Sequence, residues 1–178
     1  MRRNLVPSWR RRLGPLGAHR HVEAAPSQAG ADRVLTVNLH NLQIMGFMPM
    51  ACDQLDANPL IAEYFRCHMD TERLGVLTTD AGGVRIGTVY AERLNLPLAV
   101  CDKRRWADNE DPEIRAVIGI EGLQGREVAI FDDEILTGGT MCRAISALKD
   151  KFGLPVSYIS CVHPVFGNGA AERLLSTG

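Results

Sequence analysis

Short apolar runs that stop abruptly at polar residues alternate along this chain with longer stretches whose apolar positions recur at helical spacing. That alternation predicts β-strands followed by α-helices. Arg33-Val34-Leu35-Thr36-Val37 reads as a buried strand ending at Asn38 and His40, and Leu55 to Met69 as a helix with Leu60, Ile61, Tyr64 and Phe65 on one face. Leu74 to Thr78 is the next strand. Gly82 and Gly83 then lead into a helix reaching about Leu94, and Pro97 opens a strand over Leu98 to Cys101. Val128 to Phe131 forms another strand, and Thr140 to Phe152 a helix that Gly153 ends. Val156 to Val162 is the last strand, finishing at His163. The order implies an α/β fold, a mainly parallel sheet flanked by helices. In such sheets ligands gather at the carboxyl ends of the strands. The polar residues that follow the apolar runs, Asn38, His40, Asp80, Asp102, Lys103, Asp132, Asp133 and His163, are therefore the candidates for chemistry.

Met1 to about Gly30 breaks the pattern. Arg2, Arg3, Arg10, Arg11, Arg12 and Arg20 stand among Pro7, Pro15 and Pro26 without apolar periodicity, so residues 1–31 read as an Arg-rich leader, mostly loop or disorder. A transit peptide or nucleic-acid arm has the same composition; a poorly ordered leader is the plainer reading. The whole chain carries a net charge of -1 over 178 residues, without the basic excess of a protein that coats nucleic acid or anionic membrane. No apolar run approaches the roughly 18–20 residues that span a bilayer. Five cysteines without a C-x-x-C pair suit reduced thiols and a cytoplasmic setting.

The most informative stretch is Val128-Ala-Ile-Phe-Asp132-Asp133-Glu134-Ile135-Leu136-Thr137-Gly138-Gly139-Thr140: strand, acid pair, glycine turn, helix. The glycines let successive N–H groups form an anion nest at the helix amino terminus, with the Thr137 and Thr140 hydroxyls as further donors. The acids just upstream accept hydrogen bonds from a vicinal diol and help hold a divalent cation. A ribose ring carrying a phosphate monoester matches both. Taken alone, Thr-Gly-Gly-Thr reads as an N-capping turn; the full order of parts favours phosphoribosyl binding. No Gly-Lys-Ser/Thr follows, so this is not a Walker A loop. His40 alone reads as a strand-end histidine, Asp80 alone as a turn residue, and Lys103-Arg104-Arg105 alone as a solvated basic patch.

The acid-pair turn resembles the phosphoribosyl-binding loop of type I phosphoribosyltransferases and ribose-phosphate diphosphokinases. Four more segments resemble the diphosphokinases: Val37 to Phe47 their Asp-Leu-His and Gln-Ile-x-Gly-Phe stretch, Thr79 to Val84 their metal-site turn, Cys101 to Arg105 their mobile catalytic loop, and Cys161 to Phe166 their last common block. Together these cover roughly four-fifths of the chain in the correct order. The resemblance implies a type I phosphoribosyltransferase-like fold, incomplete relative to the family. Residues 32–50 would be a remnant of the first domain and 51–178 the second domain, cut short at its carboxyl end. It implies Mg²⁺-dependent transfer of diphosphate from ATP to the C1 hydroxyl of ribose 5-phosphate, giving phosphoribosyl diphosphate and AMP for nucleotide biosynthesis. Lys103 and Arg105 would be catalytic. Asp132, Asp133, Thr137, Gly138, Gly139 and Thr140 would bind ribose 5-phosphate, and His40 and Asp80 the metal.

Two positions depart from the family. Leu136 stands where diphosphokinases carry an acid, and Asn38 where they carry Asp beside the histidine. A sheet lacking its flanking strands would expose apolar edges, so a homo-oligomer or a partner subunit is expected. A noncatalytic regulatory homologue and a phosphoribosyltransferase are the alternative functions.

Overall fold

The structure is a computed structural model that describes residues 30–104, 113–167 and 169–177. Most of the leader, residues 1–29, lies outside them. The chain divides into two compact units, with the division between Asp56 and Ala57.

The first unit holds a pair of parallel strands, β1 (Arg33–Val37) and β2 (Ala51–Leu55), in register from Arg33 opposite Ala51 to Val37 opposite Leu55. A short 3₁₀ turn, Leu42–Phe47, lies between them, and the Asn41 side chain accepts from the Gln43 N–H at its start. The sequence predicts a buried strand at 33–37, but its residues alternate between exposed and half-buried, with Leu35 64% exposed. Within this unit the described residues supply no helix layer over the two strands to cover their apolar side chains. Strand β2 was not foreseen: Cys52-Asp53-Gln54 interrupts its apolar character, which left the helix start placed too early, at Leu55.

The second unit holds the larger, five-stranded sheet. Helix α1 (Asn58–His68) begins with Pro59 in its first turn, where a missing N–H costs nothing. Then follow β3 (Leu74–Thr78), α2 (Val84–Leu94), β4 (Leu98–Arg104), β5 (Glu113–Ile118), β6 (Glu127–Ile135), α3 (Gly139–Phe152), β7 (Val156–Pro164) and α4 (Ala170–Leu175). The strand order is β5-β4-β3-β6-β7, parallel except for the antiparallel β4–β5 pair. This is the mainly parallel, helix-covered sheet that the sequence predicts. Strand β5 was missed because its Glu113-Ile-Arg-Ala-Val-Ile run is half polar and sits at an edge, buried only at Ile114 and Val117. Pairing with β5 carries β4 past Cys101 to Arg104, beyond its apolar run. Strand β6 likewise runs on to Ile135, so Asp132 and Asp133 lie within a strand rather than after one. His163, too, lies inside its strand, opposite Glu134.

Alternation along the central strands sorts side chains into two cores. Leu77, Val128 and Ile130 face one way and pack with Met141, Ile145 and Leu148 of α3. Leu74, Val76, Ala129 and Phe131 face the other way and pack with Ala62 and Phe65 of α1 and Tyr90 and Leu94 of α2. Phe131 stacks on Tyr90 at 3.7 Å between ring centroids and meets Phe65 edge-on at 4.9 Å. The Tyr90 hydroxyl donates to buried Asn58 Oδ1 at 2.9 Å, which ties α2 to α1. Helix α3 ends as predicted at Gly153, in the left-handed region at φ 65°. Among the described residues no helix is long and apolar enough to cross a membrane.

Gly75 in β3 lies against fully buried Leu123; a Cβ there would stand 2.2 Å from Leu123 Cδ2. Gly75→Ala is expected to lower stability by about 1–3 kcal/mol through overpacking. Urea denaturation measures it, and an unchanged midpoint would contradict the packing described.

Candidate functional site

Three adjacent strands, β4, β3 and β6, bring charged side chains to their carboxyl ends. Lys103 comes from the end of β4, Asp80 from the turn after β3, and Asp132 from β6. They share one electrostatic neighbourhood: Lys103 feels the charges of Asp80 and Asp132, and Asp132 feels Asp80. Burial lowers the Lys103 pKa, opposed by Asp80, Cys101 and Asp132 and assisted by the like charge of Arg143. Lys103 Nζ is buried and has no hydrogen-bond partner among the described residues. Burial pushes the Asp132 carboxyl up to about 7, together with a side-chain hydrogen bond shared with Asp133 and the charges of Asp133 and Asp80. The Asp133 N–H donates to Asp132 Oδ1 at 2.9 Å and pulls the other way. Two acids beside a half-buried third make a place where a cation, or a hydroxyl that donates, relieves repulsion.

On β7, Cys161 pairs in register with Asp132; burial and then the Asp132 charge push its thiol up to about 11. Burial likewise pushes Cys101 up to about 11. Both thiols stay protonated and poorly nucleophilic, in keeping with the reduced cysteines expected. Cys67 departs from that picture: it is exposed on α1 and bonds Glu63.

The glycine turn links β6 to α3. Gly138 caps the helix in the left-handed region, φ 71°, and offers no side-chain cap. The first-turn N–H groups have no partner inside the helix, so they and the helix dipole are left for an anion. Helix α4 braces the turn from outside. Arg173 donates to the Thr137 carbonyl, and a Cβ on Gly138 would lie 3.4 Å from Leu174 Cγ. Thr140 and Lys103 line a cavity of about 250 Å³ with Glu113, Ile114, Arg143 and the alanines of α3. A larger cavity, about 410 Å³, opens beside β7 and α4, but apolar residues such as Ile145, Ile159 and Leu174 line it and no candidate residue does.

Asp80 Oδ1 accepts from the Gly83 N–H at 3.1 Å, which fixes the carboxylate over its own turn. Among the described residues, no group of three or more His, Cys, Asp or Glu side chains stands ready to hold a metal unaided.

The second unit thus brings together Asp80, Lys103, Asp132 and Asp133, with Thr137, Gly138, Gly139 and Thr140 directly following in the chain. His40 belongs to the first unit and is exposed there. Arg105 lies outside the described residues. Asn38 turns out to have a backbone job: it sits in the left-handed region at φ 43°, donates from its N–H to Leu55 O at 3.0 Å and from Nδ2 to Asp56 Oδ1 at 2.9 Å. Asparagine tolerates that conformation better than most residues. Sequence reasoning missed Arg143 and Arg173. Arg143 lies three residues beyond Thr140, a helical spacing that puts the two on one face and was there to be read. Arg173 is 36 residues from Thr137, with no local signal joining them.

Residues 53–172 match the family model described as Phosphoribosyl transferase domain. The chain is 41% identical over 149 residues to the ribose-phosphate pyrophosphokinase of Staphylococcus saprophyticus, covering 82% of this chain and 45% of the relative. It is 40% identical over 152 residues to that of Agrobacterium fabrum, covering 85% and 47%. A crystal structure of phosphoribosylpyrophosphate synthetase from Mycobacterium smegmatis superposes with a TM-score of 0.76 at 31% identity, over 90% of this chain and 51% of that one. Adenine phosphoribosyl transferase from Trypanosoma brucei, at 17% identity and a TM-score of 0.51, shares the fold. The chain spans about half the length of these pyrophosphokinase relatives. With more than half of its length matched by that family model, this chain belongs to the phosphoribosyl transferase domain family.

Proposed function

We propose that this chain carries the sugar-phosphate and metal site of a ribose-phosphate diphosphokinase. The reaction is Mg²⁺-dependent transfer of diphosphate from ATP to the C1 hydroxyl of ribose 5-phosphate, yielding phosphoribosyl diphosphate and AMP. The supporting observation is the meeting of Asp80, Lys103 and Asp132 at the ends of three adjacent strands, one of which runs straight into an uncapped helix amino terminus.

In this reading the N–H groups from Gly138 to Thr140, with the Thr137 and Thr140 hydroxyls, anchor the 5-phosphate. Asp132 and Asp133 accept hydrogen bonds from the ring hydroxyls and so fix the direction in which C1 points. Positioning of this kind supplies much of the rate in phosphoryl transfer, because little covalent chemistry is left to the protein. Lys103, held in a half-buried setting, places its ammonium against the negative charge gathering on the transferred phosphoryl oxygens, where low polarity magnifies its effect. Asp80, with the acid pair nearby, is the group that would hold Mg²⁺. When bound, the ion neutralises phosphate charge and aligns oxygens for in-line displacement. The metal role of His40 and the catalytic role of Arg105 rest on the family resemblance alone.

Leu136, 51% exposed immediately before the turn where the family carries an acid, favours a second reading: a homologue that binds sugar phosphate without transferring diphosphate. Purified chain given Mg²⁺, ATP and ribose 5-phosphate distinguishes the two. AMP formation that depends on ribose 5-phosphate supports transfer. Binding of ribose 5-phosphate without AMP supports the second reading, and no binding at all contradicts both.

Asp132→Asn is expected to weaken ribose 5-phosphate about 10-fold or more, the loss of a charge-assisted hydrogen bond. Calorimetric titration measures it, and unchanged affinity would remove Asp132 from the site. The same substitution has a pH signature. Because folding raises the Asp132 pKa to about 7, the folded chain holds this proton more tightly than the unfolded chain. That contribution to stability is intact at and below the usual carboxylate range and is lost as pH rises through about 7. Asp132→Asn should therefore melt higher than the parent at pH 8, with the gap closing toward pH 4. A gap that does not change with pH would mean that Asp132 ionises normally.

A further inference from the structure

Thr78 is the last residue of β3, two before Asp80, and is wholly buried, yet its hydroxyl has no hydrogen-bond partner among the described residues. A buried, unbonded hydroxyl is a cost. What the residue contributes lies in its carbon atoms. A Cβ on Gly83 would stand 3.2 Å from Thr78 Cβ, and one on Gly87 would stand 2.3 Å from Thr78 Cγ2. Gly87, in the first turn of α2, therefore packs directly on the Thr78 methyl, with Leu98 Cδ1 2.9 Å from the same added Cβ, and Gly83, at the end of the Asp80 turn, lies beside Thr78 with no room for a side chain between them.

The contact reaches the carboxylate in one further step. Gly83, seated on Thr78, donates its N–H to Asp80 Oδ1 at 3.1 Å and to the Asp80 carbonyl at 3.3 Å. Gly82 offers no alternative seat, since a Cβ there would lie 3.1 Å from Asp80 Oδ1. Gly83 thus stands between the Asp80 carboxylate, which its N–H holds, and the wall that Thr78 forms. Well-packed contacts transmit displacements of a few tenths of an ångström, because no free volume absorbs them.

We infer that Thr78 is a positioning residue for the Asp80 turn, acting through its methyl group against Gly83 and Gly87 rather than through its hydroxyl. Its consequence for ligand binding rests on the reading of Asp80 as the metal-holding carboxylate. The positional claim itself does not.

The test is a volume-compensation cycle in the full chain. Gly87→Ala forces a methyl into Thr78 Cγ2 and close to Leu98 Cδ1, Thr78→Ser removes Cγ2, and the double variant relieves the tighter of the two contacts. Thr78→Val keeps the shape and removes the hydroxyl. The first readout is amide hydrogen exchange at Gly83, which reports the bond to Asp80 without any ligand. Exchange should quicken about fivefold or more in each single variant, Gly87→Ala and Thr78→Ser, and return to within about twofold of the parent in the double variant and in Thr78→Val. Unaltered exchange in both single variants, or no recovery in the double, overturns the inference.

The second readout is the affinity for Mn²⁺–ATP well below each variant's melting temperature, with Asp80→Asn as control. The same order of variants is expected, with ribose 5-phosphate affinity unmoved. Weakening in Thr78→Val but not in Thr78→Ser would assign the hydroxyl to the ligand and overturn the methyl account. If Asp80→Asn leaves Mn²⁺–ATP affinity unchanged, the metal reading of Asp80 fails, while Gly83 exchange still decides the role of Thr78.

Discussion

A half-buried carboxyl group beside two other carboxyls is the constraint on which this site turns. Asp132 is driven onto the sheet because the apolar run before it is buried on both faces and carries the strand onward to Ile135. There it meets Asp133 on its own strand and Asp80 from the neighbouring one, with Lys103 close enough to feel both Asp80 and Asp132. Apolar packing provides the force that assembles mutually repelling groups. The cost is a proton held up to about pH 7, and a ligand that brings a cation and hydroxyl donors relieves it.

Geometry makes the arrangement economical. Parallel strands end side by side at one edge, so three short polar tails converge without long loops. The helix that follows β6 begins at the same edge, placing an uncapped amino terminus beside the acids in chain order. Negative and positive fields then sit next to each other, carboxylates on one side and helix-terminal amides on the other. Helix α4 completes the device from behind by holding the Thr137 carbonyl through Arg173.

Much of this was legible in the residues. The buried strands 74–78 and 128–131, the helix closed by Gly153 and the glycine turn that opens that helix all follow from apolar runs, glycine and β-branched residues, because in those places local preference and tertiary burial agree. The misreadings have common causes. Strands β2 and β5 are half polar and lie in a two-stranded pair or at an edge, where pairing rather than burial decides the conformation. Strand ends were set too early because hydrogen bonding to neighbours carries β4, β6 and β7 beyond their apolar cores. Asn38, noted in the sequence only as a departure from the family's Asp, has a structural reason in its left-handed backbone and its bond to Asp56. Thr78 and Arg173 gave no signal, because their partners are fixed by packing and by contacts distant in sequence.

The central claim is that Asp132 keeps its proton to near neutrality until a ligand arrives. Carboxyl ¹³C shifts of selectively labelled aspartate, followed against pH and assigned through the Asp132→Asn variant, read this directly. The account predicts a midpoint near 7 for Asp132 in the free chain, moving well down when Mg²⁺ and ribose 5-phosphate are added. A midpoint in the ordinary carboxylate range, unmoved by either, would contradict it.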